Sequence, residues 1–236
     1  MRIYTSWQDY PRAILGRAEN RLCRWFEDNV NAGETWIDVG AHHGVTAVAL
    51  CNRVGAQGRV FAFEPVLASA GLLSRTREAN QLRQLVVIPM ALGEAEEVSM
   101  LRVSHQSQGM VGIIPEMRTG SWVGEGEIVY ETSFDGIWPR ICGAMDRVNG
   151  VKIDVQGAES YTLRGMREML RTHKPKLVVE YHRYADLSEF LSTLESVGYS
   201  RIGQDIDCPS ATATSKLLHG RNYHFPKAPF SAESGP

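Results

Sequence analysis

Apolar residues along this chain fall in short blocks, and most blocks stop at an acid, a glycine or a proline. Trp36-Ile37-Asp38-Val39 runs into a turn with glycines at 40 and 44, and Val45 to Cys51 then suits a helix. Arg59 to Phe63 is a second apolar run, ended by Glu64 and closed by Pro65, with a helix predicted over 66–80. Leu85 to Ile88, Val151 to Val155 and Lys176 to His182 continue the series. Helices are predicted over 158–171 and 186–197, the second carrying Leu187, Phe190, Leu191 and Leu194 on one face. Strands alternating with helices predict a parallel sheet. The runs 199–204 and 216–225 read as a closing hairpin, which makes the sheet seven-stranded with one reversed strand. The expected fold is therefore α/β and Rossmann-like, with helices on both faces.

Three stretches fall outside this rhythm. Residues 1–32 form an arm and a helix, the latter predicted over 15–30 because Leu22, Trp25, Phe26 and Val30 recur at helical spacing. The main domain spans 33–226, and 227–236 is a frayed tail. Within the domain, 94–149 interrupts the alternation: Val98 to Val103 and Glu127 to Thr132 look strand-like. Ser104 to Gly126 is rich in Gly, Ser, Gln and Met and reads as a substrate-side loop. Ser133 is placed to cap a short helix after it.

At 236 residues, 43% of them hydrophobic, the chain suits one domain with a sizeable core. The formal net charge of −2 gives no basic surplus for nucleic acid. The four cysteines are widely spaced without a C-x-x-C pair, which predicts reduced thiols in a cytoplasmic protein, Cys51 and Cys142 packed in the core. No apolar run reaches membrane-spanning length, so a soluble protein is expected.

The glycine turn brings chemistry. Gly40 lets backbone pass where a Cβ would clash, and the helix start after Gly44 offers unpaired N–H groups to a carboxylate or phosphate. Thr46 adds a hydroxyl, and Asp38 is an acid able to meet an ammonium. Glu64, 26 residues beyond Asp38, is placed to accept hydrogen bonds from ribose hydroxyls. Ribose occurs in dinucleotides and in S-adenosylmethionine (SAM) alike. The turn lacks G-x-G-x-x-G, since His42 stands where the middle glycine belongs. His42 and His43, being adjacent, are expected to point differently, one of them near the cofactor. Met90 and Ala91 follow the third strand and are placed to flank an adenine.

Taken together these blocks resemble the FkbM family of SAM-dependent methyltransferases. The carrying residues are Asp38-Val39-Gly40-Ala41-His42-His43-Gly44-Val45-Thr46, then Ala62 to Pro65, then Ser133-Phe134-Asp135. The run Lys152 to Glu159 matches the family's Lys-Ile-Asp-Val-Glu-Gly-x-Glu, and Pro175 through Glu180 and His182 match its Pro-x-x-x-x-x-Glu-x-His. The likeness covers about residues 33–226. His42 stands in place of the family's asparagine and Gln156 in place of a glutamate.

The resemblance implies SAM as cofactor, S-adenosylhomocysteine (SAH) as product, and O-methylation of a sugar or secondary metabolite. It implies a cofactor set of Asp38, Gly40, His42, His43, Gly44, Thr46, Glu64, Pro65, Met90, Ala91 and Asp154. A hydroxyl needs a general base during attack. His182 is the expected base, Asp154 the group positioning the acceptor, and Glu180, two residues from His182, its orienting or paired carboxylate. A metal bridging Asp154, Glu180 and His182 is the weaker alternative. With Gln156 in place of a carboxylate, no resident metal is expected. Glu159 is equally well explained by the helix macrodipole. His105, His173, His219 and His224 read as surface or packing residues. Competing readings are a catalytically silent scaffold and an NAD-dependent oxidoreductase; homodimerisation stays open.

Overall fold

The computed structural model describes residues 2–4, 20–103, 111–113, 127–142, 147–183, 185–208, 210 and 212–228. In chain order the elements are α1 (Asn20–Asn29), β1 (Thr35–Val39), α2 (Val45–Val54), β2 (Arg59–Phe63), α3 (Leu67–Ala79) and β3 (Leu85–Ile88). Then come β4 (Ala91–Leu92), β5 (Glu97–Val103), β6 (Val111–Ile113), β7 (Glu127–Thr132), α4 (Phe134–Cys142) and β8 (Gly150–Ile153). The chain closes with α5 (Glu159–Gly165), α6 (Arg167–His173), β9 (Lys176–Tyr181), α7 (Leu187–Ser196), β10 (Gln204–Asp205) and β11 (Arg221–Phe225).

The main sheet has seven strands in the order β10-β11-β9-β8-β1-β2-β3. Only β11 runs against its neighbours, pairing antiparallel with both β9 and β10. Strand side chains alternate between faces, and the core divides accordingly. Ile37, Val39, Phe61, Phe63, Val151 and Ile153 pack with residues of α4 to α7, among them Trp138, Leu163, Leu170 and Phe190. Trp36, Val60, Ala62 and Val178 pack on the other face with α1 to α3 through Leu22, Phe26, Val48 and Leu73. The helix–sheet–helix sandwich expected from the blocks is the one observed.

Four expectations are corrected. The helix predicted over 158–171 is two helices meeting at Met166. There Gly165 lies so close to Gly93 that a Cβ would come within 1.7 Å of its carbonyl oxygen. Asp135 of α4 accepts from the backbone N–H of Glu168 and Met169 at 2.7 and 3.0 Å, capping the new helix from a distant element. The 199–204 run is mostly irregular, only Gln204–Asp205 being strand. The 104–126 stretch contains a strand, β6, antiparallel to β5; the rest of that expected loop lies outside the described residues, as do 5–19 and the tail from 229. Finally, β4, β7, β5 and β6 form a second sheet of four strands. It is fastened to α5, where the Thr162 hydroxyl donates to the Leu92 carbonyl at 2.9 Å.

Ser133 does cap α4, its hydroxyl accepting from Gly136 N–H at 3.2 Å. Cys51 is buried and Cys142 half-buried, and none of the four cysteines forms a disulfide. No helix among the described residues is long and apolar enough to cross a membrane.

Candidate active site

The carboxyl ends of β1, β2, β8 and β9 meet at one edge of the sheet, and parallel register decides which side chains meet there. Asp38 pairs with Lys152 across β1 and β8. The Lys152 ammonium, fully buried, lies 3.5 Å from Asp38 Oδ1, 3.5 Å from Asp154 Oδ2 and 3.5 Å from the Gly40 carbonyl. Asp38 Oδ2 accepts from the Thr46 hydroxyl at 2.7 Å, while Oδ1 has the lysine charge but no hydrogen bond. Burial raises the Asp38 pKa against the opposing pull of Lys152 and Thr46. Gly40 has φ 75°, and a Cβ there would lie 1.8 Å from the Asp154 carbonyl oxygen. Its lack of a side chain admits the end of β8.

Glu64 follows β2. Its Oε2 accepts from His42 N–H at 2.8 Å and its Oε1 from Val66 N–H at 2.9 Å. Burial pushes its pKa up to about 7, more than these bonds bring it down. Two carboxylate oxygens offer about four lone-pair sites, so capacity for ribose hydroxyls remains. His42 has φ 48°, in the left-handed region where Asn and His are both enriched. The backbone conformation at His42 is thus one that asparagine also adopts, and it is the backbone N–H, not the ring, that reaches Glu64. The adjacent histidines do not diverge: that turn of the chain stacks their rings, with centroids 3.7 Å apart. His43 is buried and His42 half-buried.

The third group is on β8 and β9. Ile153 pairs with Val179, so Asp154 and Glu180 come level at the strand ends. His182 Nε2 lies 3.4 Å from Glu180 Oε1 and 3.8 Å from Asp154 Oδ1. Its Nδ1 lies 2.8 Å from Glu159 Oε1, which also accepts from Gly157 N–H at 3.0 Å. Burial works against charge on His182, but the Glu159 and Glu180 hydrogen bonds and the Asp154 charge outweigh it, raising its pKa to about 10. Gln156 Nε2 donates to Asp154 Oδ1 at 2.8 Å.

A family profile, the methyltransferase FkbM domain, matches residues 38–201. The chain belongs to that family. SAM is accordingly its cofactor. Among solved structures it is similar in fold to methyltransferase FkbM from Methylobacillus flagellatus KT (TM-score 0.53, 19% identity, 86% of this chain and 50% of that one). It thus spans half the length of that protein. It is also similar to a putative rRNA-methylase from Clostridium thermocellum (TM-score 0.53, 13% identity, 89% and 94% covered). A SAM-dependent O-methyltransferase from Thermotoga maritima gives TM-score 0.52 at 13% identity, with 95% and 71% covered. A search of curated proteins finds no match.

The residues present fit SAM. Glu64 is buried at the tip of β2 with acceptor capacity to spare, and Asp38, held by Thr46 and Lys152, braces the turn at the tip of β1. Met90 is half-buried and Ala91 buried, directly after β3. Three contributors were not read as such from sequence: Lys152, Glu159 and His219. The signal for Glu159 was its place two residues past a glycine in an acid-tipped strand–turn–helix unit, but its partner is 23 residues away. His219 accepts from Arg183 N–H at 3.2 Å through Nδ1, and its exposed ring stands edge-on to His182 with centroids 5.3 Å apart.

Proposed function

We propose that this chain transfers a methyl group from SAM to a hydroxyl of a sugar or other natural product. The convergence of Asp154, Glu180 and His182 beside the glycine turn carries the reading. In-line displacement at a sulfonium chiefly requires alignment of donor and acceptor, and a hydroxyl also needs somewhere for its proton to go. SAM supplies a methyl already activated on sulfur. The protein supplies the rest. Glu64, with Pro65 fixing the chain behind it, takes the ribose; Met90 and Ala91 flank the adenine. The turn of Gly40, His42, His43, Gly44 and Thr46 frames the methionine part. Asp38, wholly buried, holds that turn through Thr46 and Lys152, while the partly exposed Asp154 offers the carboxylate to the open side. Asp154 positions the acceptor hydroxyl, and its proton enters the cluster with Glu180 and His182. The insertion over 94–149, whose Glu94 pairs with Arg164 on the helix that bears Glu159, is assigned to the acceptor side on its described residues.

Transfer from radiolabelled SAM to a panel of hydroxylated sugars and natural products, with amine and RNA arms alongside, tests this. Label on oxygen is the expected result. Label confined to amines or RNA overturns it. Thermal stabilisation by NAD but not by SAH would instead point to the oxidoreductase reading.

A further inference from the structure

The Asp154–Glu180–His182 cluster has the build of a cation site. One oxygen from each carboxylate and one imidazole nitrogen lie mutually within 4.8 Å. Donor atoms that share a first-row divalent cation at about 2.0–2.2 Å stand roughly 3–3.6 Å from one another. The 3.4 and 3.8 Å separations from His182 Nε2 need only a small side-chain closure to reach that range.

The surroundings point the same way, independently of the three donors. A metal-ligating imidazole almost always gives its second nitrogen to a carboxylate or carbonyl, which fixes the ring. Here Glu159, fully buried, holds Nδ1 at 2.8 Å and leaves Nε2 facing Glu180 and Asp154. Glu159 Oε2 is buried with no hydrogen-bond partner. Asp154 is oriented in turn by Gln156, whose amide donates to it. Gln156 is thus an orienting neighbour, and its change from a carboxylate removes no donor from the three. Three carboxylates crowd a single imidazole, and the Lys152 ammonium beside Asp154 is shared with Asp38. Like charges gathered in this way favour an added cation.

We propose that Asp154, Glu180 and His182 bind one divalent transition-metal cation of the Mn2+ or Zn2+ type, with Glu159 as the residue that orients His182. Mixed carboxylate and imidazole donors suit ions of this class, and three protein ligands leave positions open to water or to a hydroxyl; with Nε2 on the cation, the acceptor proton passes to a carboxylate of the cluster and His182 serves as a ligand. The proposal rests on reading this cluster as the acceptor end of the methyltransferase site.

The test titrates Mn2+ into the full chain after chelator treatment and exchange into metal-free buffer, following free Mn2+ by electron paramagnetic resonance. A Zn2+ competition arm and a SAH titration of every sample run in parallel. The expected result is one Mn2+ per chain, displaced by Zn2+. Glu159→Gln should weaken binding roughly 10–100-fold, and Glu180→Gln and His182→Ala should remove saturable binding while SAH still binds. Absence of saturable Mn2+ or Zn2+ binding at millimolar concentration, in a chain that binds SAH, overturns the site. Equal Mn2+ affinity in the native chain and in Glu180→Gln, an isosteric change whose fold the SAH titration checks, overturns it too. Failure of SAH to bind a chain that still takes Mn2+ would count against the methyltransferase reading and leave the cation site standing.

Discussion

Glu159 Oε1 lies 2.8 Å from His182 Nδ1, and both side chains are buried. The contact joins the first turn of α5 to the end of β9 and decides which imidazole nitrogen meets the open side of the cluster. A histidine at the end of a strand is free to rotate about two side-chain bonds; this one is held.

His182→Ala should lower turnover by roughly 10²–10⁴, the usual contribution of a positioned proton-transfer group, and leave SAH affinity unchanged. Single-turnover transfer measured beside calorimetric titration with SAH separates the two effects. Near-normal turnover would hand the proton to Asp154 without help from the ring.

Glu64→Ala should weaken SAH binding about tenfold to hundredfold, corresponding to roughly 1.5–3 kcal/mol for hydrogen bonds to a charged acceptor. Calorimetry on the variant checks it, and unchanged affinity would remove Glu64 from the ribose site.

Glu64 also makes a pH prediction. Its pKa is about 7 in the folded chain against an ordinary 4.5. Between those values the folded state holds a proton that the unfolded state has released, so stability falls as pH rises through this window. Glu64→Gln removes that contribution. Denaturation midpoints of the two proteins should therefore shift in the variant's favour as pH climbs from 4.5 towards 7, on top of a constant offset from the altered bonds to His42 and Val66. Lys152 and Asp154 are the charged groups that act on Glu64. A difference that does not change with pH would mean that the carboxyl ionises normally.

Lys152→Met should cost about 3–5 kcal/mol, the penalty for leaving buried charges without their partner. Here the stranded groups are Asp38 and Asp154, each 3.5 Å from the ammonium. Urea unfolding measures it; a loss below about 1 kcal/mol, in the range of an exposed pair, would show that the lysine does not neutralise them.

The arrangement of strands was legible in the chain because each central strand is an apolar block stopped by a residue that cannot continue it. Asp38, Glu64 and Asp154 mark carboxyl ends in sequence as they do in space, since a parallel sheet gathers those ends on one edge. Helix ends set by local side chains were legible also, as Ser133 shows. The break at Met166 was not: the cap on α6 is Asp135, more than 30 residues away, and the pressure on Gly165 comes from Gly93. The site divides along the same line. Residue types and their order along the chain determined that two acids and a glycine turn would gather at the carboxyl edge of the sheet, where we place the cofactor. Only the tertiary structure decided that Asp154 and Glu180 lie level, because that depends on the register of β8 against β9. It likewise decided that Lys152 turns inward to two carboxylates, that the paired histidines stack, and that Glu159 faces His182 rather than serving its helix alone. Local pattern reaches as far as one turn or one strand. Register, crossing and packing between elements far apart in the chain place the side chains that must touch.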